Sequence, residues 1–243
     1  MNPRSTAAGM NPRNTAAGMN PRSTAAQGGQ GRGLLVVGGA GPGRQELADY
    51  ALGMDLIVAA DSGLEAALAA GITPALVVGD MDSLSDRALL DQFPPERVVR
   101  FSADKDETDT EIGMRILRER GCGDITIAGG AGGRIDHLLA IAALFERDAP
   151  PRRWLTDRED IRLVEGAADF AGWEGATVSV FPLGDRASDM HSEGLHWPLD
   201  GLEFRRGYGG ISNRVTAERV RITVGIGKLL VVRSLSNLAE KDD

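Results

Sequence analysis

A chain of 243 residues can form one large domain or two small ones. Its 42% hydrophobic and 26% charged residues suit an ordinary globular protein with a core of useful size. The formal net charge is −8, and four arginines (Arg4, Arg13, Arg22, Arg32) with no acid in the first 33 residues leave −12 on the rest. Such a body repels a nucleic-acid backbone, so no nucleic-acid partner is expected. It can still meet a polyphosphate if a divalent cation sits between the two sets of negative charge. The single cysteine, Cys122, excludes an internal disulfide or a cysteine metal site and points to a reducing, cytoplasmic setting. The longest apolar runs, such as residues 34–37, are too short to span a bilayer, and no membrane partner is expected.

The chain opens on a nine-residue repeat, MNPRSTAAG, MNPRNTAAG and MNPRSTAAQ. No turn of it carries an apolar face, so residues 1–33 are predicted to form a disordered tail. The arginines and lack of acids faintly suggest a transit peptide; Met1, Met10 and Met19 suggest more readily a duplicated or misassigned start.

From residue 34 short apolar runs alternate with helical stretches. LLVVGGA (34–40) reads as a strand and RQELADYALG (44–53) as a helix. LIVAAD (56–61) is a second strand, SGLEAALAAG (62–71) a second helix, and ALVVGD (75–80) a third strand, followed by LSDRALLDQF. RVVRFSA (97–103) is a fourth strand; TDTEIGMRILRERG (108–121) has Ile112, Ile116 and Leu117 at helical spacing. DITIAGG (124–130) and RIDHLLAIAALFER (134–147) complete the series. The alternation predicts an α/β domain over 34–150, a mainly parallel sheet with flanking helices. After Pro150-Pro151 only short strand candidates remain: PRRWLTD, IRLVEG, ATVSVFPL, GLEFRR, RVRITVG and KLLVVRSL. They predict a C-terminal all-β sandwich domain over 151–243, with the proline pair as a stiff boundary.

Polar residues gather at the ends of the predicted strands, where α/β sheets bind ligands. They are Asp61-Ser62-Gly63, Gly79-Asp80-Met81-Asp82-Ser83, the acidic run from Asp104 to Asp109, and Gly129 to Arg134 with Asp136 and His137 beyond. Asp80 and Asp82, two apart, can converge on a hard cation such as Mg²⁺; the same residues are also common in turns and caps. Four acids between Asp104 and Asp109 repel one another unless a cation is present, or they form a solvated loop capping the next helix with Thr108 or Asp109. Two such groups on one rim favour the metal reading. The glycines before Arg134 let backbone N–H groups approach an anion, and the guanidinium can fork onto phosphate oxygens, with Asp136 to orient it. His137 suits either a catalytic or a structural role. The first loop, GGAGPGR, matches neither a Walker A nor a Rossmann fingerprint, yet it can line a nucleotide pocket.

In this order and spacing, the motifs resemble the thiamine pyrophosphokinase (thiamin diphosphokinase) family. The second half continues the resemblance in EGLHWPLDGLEF, GGISNRVTAERVRI and GKLLVV, so that it covers roughly residues 34–233. The resemblance implies transfer of the β,γ-diphosphate of ATP to the thiamine hydroxyl, with Mg²⁺, in a homodimer whose active sites are shared between subunits. It implies Asp80, Asp82 and Asp109 as magnesium ligands, acting with Arg134 in catalysis. Asp61, Ser62, Gly63, Asp106, Thr108, Gly132, Gly133 and Asp136 would surround the nucleotide and its metal. Trp197 would stack on the thiamine pyrimidine, its π face attracting the cationic ligand, and Ser212 and Asn213 would hydrogen-bond it. Taken alone, Trp197 is equally well a core tryptophan.

Two departures bear on the pocket. Many relatives have Asn where this chain has Ile141, and many bacterial members have an acid where it has Arg214. A pyrophosphokinase for another hydroxymethyl heterocycle, such as a pterin, and a non-catalytic thiamine or nucleotide sensor are the rival readings.

Overall fold

The computed structural model describes residues 29–102 and 106–235. The nine-residue repeats, Asp104 and Lys105 lie outside the described residues. Six strands pair in parallel: β1 (Gly31–Val37), β2 (Leu56–Ala60), β3 (Leu76–Gly79), β4 (Val98–Arg100), β5 (Cys122–Ala128) and β6 (Arg153–Leu155), in the order β6-β5-β1-β2-β3-β4. Strand β1 starts earlier than its apolar run, because Gly31, Arg32 and Gly33 already pair with Cys122, Asp124 and Ile125.

Alternate side chains of β1 serve opposite faces, as the period of a strand requires. Leu34 and Val36 pack with Leu47 of α1 (Arg44–Ala51) and Ala67 of α2 (Gly63–Ala69). Leu35 and Val37 pack with Ile112, Ile116 and Leu117 of α3 (Asp109–Glu119) and with Ile141 of α4 (Ile135–Ala143). The sheet grows from β1 through β4 in one direction and resumes with β5 on the other side of β1. That reversal is a topological switch point, where α/β folds place their ligands. The stretch 84–93 forms only a short 3-10 turn, Arg87–Gln92, begun by the Asp86 side chain accepting from the Ala88 N–H.

The remaining strands are β7 (Glu159–Val164), β8 (Ala167–Ala171), β9 (Thr177–Glu193), β10 (Phe204–Arg205), β11 (Gly210–Arg214) and β12 (Arg219–Ser234). Strands β9 and β12 pair along most of their length, with a register shift between Ile226 and Lys228. Their first and second halves share one apolar core, in which Val178 and Val180 meet Met190, Val220, Ile222 and Val231. This unit is hydrogen-bonded in continuity with the parallel sheet: β6 pairs with β5 in parallel, β7 with β6 and β12 with β7 antiparallel. Pro150 and Pro151 are buried at this junction, and the Arg118 guanidinium donates to the Ala149 and Pro150 carbonyls. The proline pair therefore sits in a packed seam. No helix among the described residues is long and apolar enough to cross a membrane.

At the seam, Asp160 is 2% exposed and accepts two forked guanidiniums, from Arg153 (2.7 and 2.8 Å) and Arg162 (2.8 and 3.0 Å). Burial alone would raise the carboxyl's pKa; the hydrogen bonds and charges of Arg162 and Arg153 more than offset it and hold it below the usual range. Removing one partner of such a buried group strands the others without compensation. Asp160→Asn is expected to cost about 3–5 kcal/mol of unfolding free energy in urea melts at neutral pH. The folded-state pKa lies below the unfolded one, so this contribution is present above about pH 4 and lost as pH falls through the folded-state pKa. Melts of the wild type and the variant should accordingly converge in strong acid.

Candidate active site

The ends of β2, β3 and β5 and the start of α3 surround a cleft of about 460 Å³. Val37, Gly38 and Gly39 line it from β1 onward, and Asp61 and Ser62 from β2. Asp80 and Ser83 follow β3, while Thr108 and Asp109 open α3. Gly130, Gly133, Arg134 and His137 close the far side.

Three carboxylates meet here. Oxygens of Asp61, Asp80 and Asp109 all lie within 4.8 Å of one another. Local backbone geometry brings them together. Asp61 and Met81 adopt left-handed conformations (φ 46° and 64°), and the Met81 N–H donates to Asp61 Oδ1 at 3.1 Å. Gly79, at φ 138°, leaves the room that Asp61 fills: a Cβ there would stand 1.9 Å from Asp61 Oδ1. Asp109 is placed by the start of α3, where Thr108 and Glu111 form a capping box with N–H to side-chain distances of 3.2 and 2.7 Å. Partial burial, and then the carboxylate of Asp109 beside it, push Asp61 up to about 7. An all-oxygen donor set whose members penalise each other's ionisation is what a hard divalent cation would relieve.

Asp82 does not join this group. Its carboxylate pairs with Arg87 at 2.6 Å and its N–H donates to Asp80 Oδ1 at 3.0 Å. Both partners follow from the turn into the 3-10 segment, which carries the second aspartate of the pair away from the first. Asp61, read from sequence as a neighbour of the nucleotide, occupies the place in the triad. The adjacency of β2 and β3, with Asp61 and Asp80 each directly after its strand, is the signal that could have found it.

The glycine loops lie side by side across the switch point. Ala40 and Ala131 exchange N–H···O bonds of 2.6 and 3.0 Å, and the Gly130 N–H donates to the Gly38 carbonyl at 2.9 Å. Arg134 folds back on Asp136, with Nε to Oδ1 at 3.1 Å and a second, shorter contact from Nη2. The pair is exposed, and Arg134 holds the Asp136 carboxyl below its usual range. Gly132, Asp136 and Asp106 are exposed and do not line the cleft, and Gly63 is buried at the start of α2. Glu107 lines the cleft while pairing with Arg115 at 3.1 Å. Ile141 is buried at the cleft floor against Gly130, where a Cβ would lie 2.4 Å from its Cδ1. The apolar residue at this position is thus fitted to the glycine loop above it.

Ser212 and Asn213 belong to β11 and Trp197 to the segment between β9 and β10, and none of them lines the cleft. Trp197 is 58% exposed, with the His196 ring edge-on to it at 4.5 Å. Ser212 is exposed at φ 58°, and its N–H donates to Ser179 Oγ at 3.2 Å. Asn213 is buried.

Comparison with known proteins covers both halves of this arrangement. The sequence profile described as "Thiamin pyrophosphokinase, catalytic domain" matches residues 47–150, and that described as "Thiamin pyrophosphokinase, vitamin B1 binding domain" matches residues 161–229. The chain belongs to the thiamin pyrophosphokinase family. Thiamine pyrophosphokinase of Bacillus subtilis (strain 168) is 26% identical over 208 residues, spanning 82% of this chain and 97% of that protein. The crystal structure of thiamin pyrophosphokinase from Geobacillus thermodenitrificans superposes with a TM-score of 0.68 at 25% identity, covering 85% of this chain and 99% of that one. Thiamin pyrophosphokinase from Candida albicans, at 18% identity, shares the fold with a TM-score of 0.64 over 84% of this chain and 90% of that one.

A tight steric constraint at the rim of this thiamin pyrophosphokinase fold is the contact between Gly79 and Asp61. Gly79→Ala is expected to cost about 1–3 kcal/mol from the left-handed backbone alone, and to displace the Asp61 carboxylate as well. Urea melts would read the first effect; the second would appear as weakened stabilisation by added Mg²⁺ in thermal melts.

Proposed function

We propose that the chain is an ATP-dependent diphosphotransferase that converts thiamine to thiamine diphosphate, with magnesium held at the carboxylate rim. The observation that carries this reading is the convergence of Asp61, Asp80 and Asp109 beside two glycine loops and Arg134 in one cleft at the switch point. The oxygen-only donor set fits Mg²⁺, which commonly shares its coordination with substrate phosphates. When bound, the ion would neutralise the polyphosphate and help hold it in line.

The chain's own residues do the rest. Ser62, Gly63, Thr108, Gly132 and Gly133 surround the nucleotide in this proposal, and Asp106, outside the cleft, reaches it only by a movement of the acidic segment. Arg134 leaves Asp136 for the phosphate oxygens and offsets charge on the group in transfer. The thiamine hydroxyl attacks the β-phosphorus, AMP leaves, and the catalytic contribution is chiefly positioning and charge neutralisation. Asp82 enters the metal shell only by giving up Arg87. The ATP-binding unit is assigned to residues 34–150 and the thiamine-binding unit to residues 151–243, with Trp197 as the stacking platform and Ser212 at its edge. Because the cleft lining does not include Trp197, we further propose a cytoplasmic homodimer in which one copy's Trp197 faces its partner's cleft.

The test is turnover with ATP and Mg²⁺, assayed for AMP. Asp80→Asn and Asp109→Asn are expected to lower it by at least about 100-fold, since losses in the outer shell of a metal site already cost about 10–100-fold. Asp61→Asn should do the same, and Asp82→Asn should cost markedly less. Equal losses at Asp82 and Asp61 would restore Asp82 to the ligand set. Preference for a pterin over thiamine would overturn the substrate, and a wild type that binds both ligands without releasing AMP would make the protein a sensor.

A further inference from the structure

We propose that Asn213 is a positioning residue that clamps the backbone of Trp197, and that it does not hydrogen-bond thiamine. The inference rests on the reading of Trp197 as the thiamine platform.

Asn213 is 7% exposed and its carboxamide is committed. Oδ1 accepts the Trp197 N–H at 3.1 Å and the Arg214 N–H at 2.8 Å, while Nδ2 donates to the Trp197 carbonyl at 2.7 Å. Two N–H donors at one end and a carbonyl at the other allow only this orientation of the amide. One Nδ2 hydrogen remains of the side chain's bonding capacity, on a residue that is turned inward.

The bend in β11 explains why. Its pairing with β9 shifts register between Gly210 and Asn213, and Ser212 takes a positive φ. The irregularity leaves Ile211 and Ser212 exposed and directs Asn213 into the interior. Alongside, the 195–199 segment follows β11 by backbone contacts: Leu195 bridges Val215, and the His196 N–H donates to the Arg214 carbonyl at 2.8 Å. At the next residue a side chain takes over from the backbone, and Asn213 satisfies both the N–H and the carbonyl of Trp197. Two residues on, the Leu199 N–H is held by Ser192 Oγ at 2.8 Å. Trp197 is therefore an exposed indole on a backbone fastened from both sides. A ring with so little packing of its own takes its orientation from that backbone. Ser212, with its side chain exposed, is left as the polar group free to meet a ligand at the platform's edge.

The test uses full-length protein with 5-fluorotryptophan incorporated. Its three tryptophans give three ¹⁹F resonances, and Trp197 is assigned by the one missing in Trp197→Phe. In Asn213→Ala and the near-isosteric Asn213→Asp, without thiamine, the Trp197 resonance is expected to shift and narrow. Those of the buried Trp154 and Trp173 should stay in place and so report an intact fold. The thiamine KM should rise about 10-fold, the scale of a lost buried hydrogen bond, with kcat held. A Trp197 resonance unchanged in both variants would overturn the proposal, whatever the KM, because a direct ligand would alter thiamine binding alone. A Trp197→Ala enzyme with an undiminished thiamine KM would sink the platform reading itself, and with it the functional part of the clamp; the ¹⁹F and kinetic readouts keep these two failures apart.

Discussion

The buried indole N–H of Trp154 donates to the Gly129 carbonyl at 2.7 Å, and both halves of the molecule are oriented by that contact. Gly129 is the first residue after β5 and begins the glycine loop. Trp154 sits in the middle of β6, the last parallel strand before the sheet turns antiparallel. A second bond, from the Gly129 N–H to the Leu155 carbonyl at 2.9 Å, completes the pairing. An indole donor buried without an acceptor would cost about 1–3 kcal/mol, so the register of β6 on β5 is strongly specified. Once it is set, the glycine loop has a fixed base and β7 has a fixed edge to pair with. Asp160 then locks β6 to β7 through Arg153 and Arg162. The acidic rim and the C-terminal strands are thus tied to one seam of backbone and side-chain bonds.

The rim concentrates unfavourable terms. Asp61 and Met81 hold left-handed backbones that cost about 1–3 kcal/mol each for residues with side chains. Their effect is to bring Asp61 against Asp80 and Asp109, where burial first and then the neighbouring carboxylates push its pKa upward. Neither the strain nor the repulsion helps the fold by itself. Both make sense if the geometry serves a cation, whose charge would turn the repulsion into coordination.

The parallel sheet was legible because its strands are buried on both faces and therefore read as continuous apolar runs. The C-terminal strands were less so. Gly184, Gly225 and Gly227 look like turn residues, so β9 seemed to end at Leu183 and β12 to split after Gly225. In the structure both strands run on through these glycines, since pairing between the two long strands supplies the order that local sequence lacks. Strand β8, AADFA, has too little alternation to be seen without its partner β12. Among site residues, the rim itself follows from the polarity of a parallel sheet. Which aspartates converge does not, because a two-residue spacing says nothing of whether Arg87 will draw Asp82 aside. The double role of the Asn213 amide is equally invisible in sequence, as it depends on a bulge and on a loop that is distant in the chain.

The proposed function sets the cleft a last task, since a strongly acidic body would have to receive a polyphosphate. Among the described residues, Arg134 is the arginine lining the cleft, and it is held by Asp136. An exposed ion pair of this kind contributes only about 0–1 kcal/mol, so the guanidinium is oriented at little energetic cost. A polyphosphate offers several charged oxygens in place of two, and a planar guanidinium binds such groups in pairs. Under the proposed function, exchange of Asp136 for phosphate is therefore favourable at the moment of binding, while in the free protein Arg134 is paired with Asp136. In the proposed reaction, pairing Arg134 with Asp136 leaves the guanidinium for phosphate oxygens and the aspartate triad for a divalent ion.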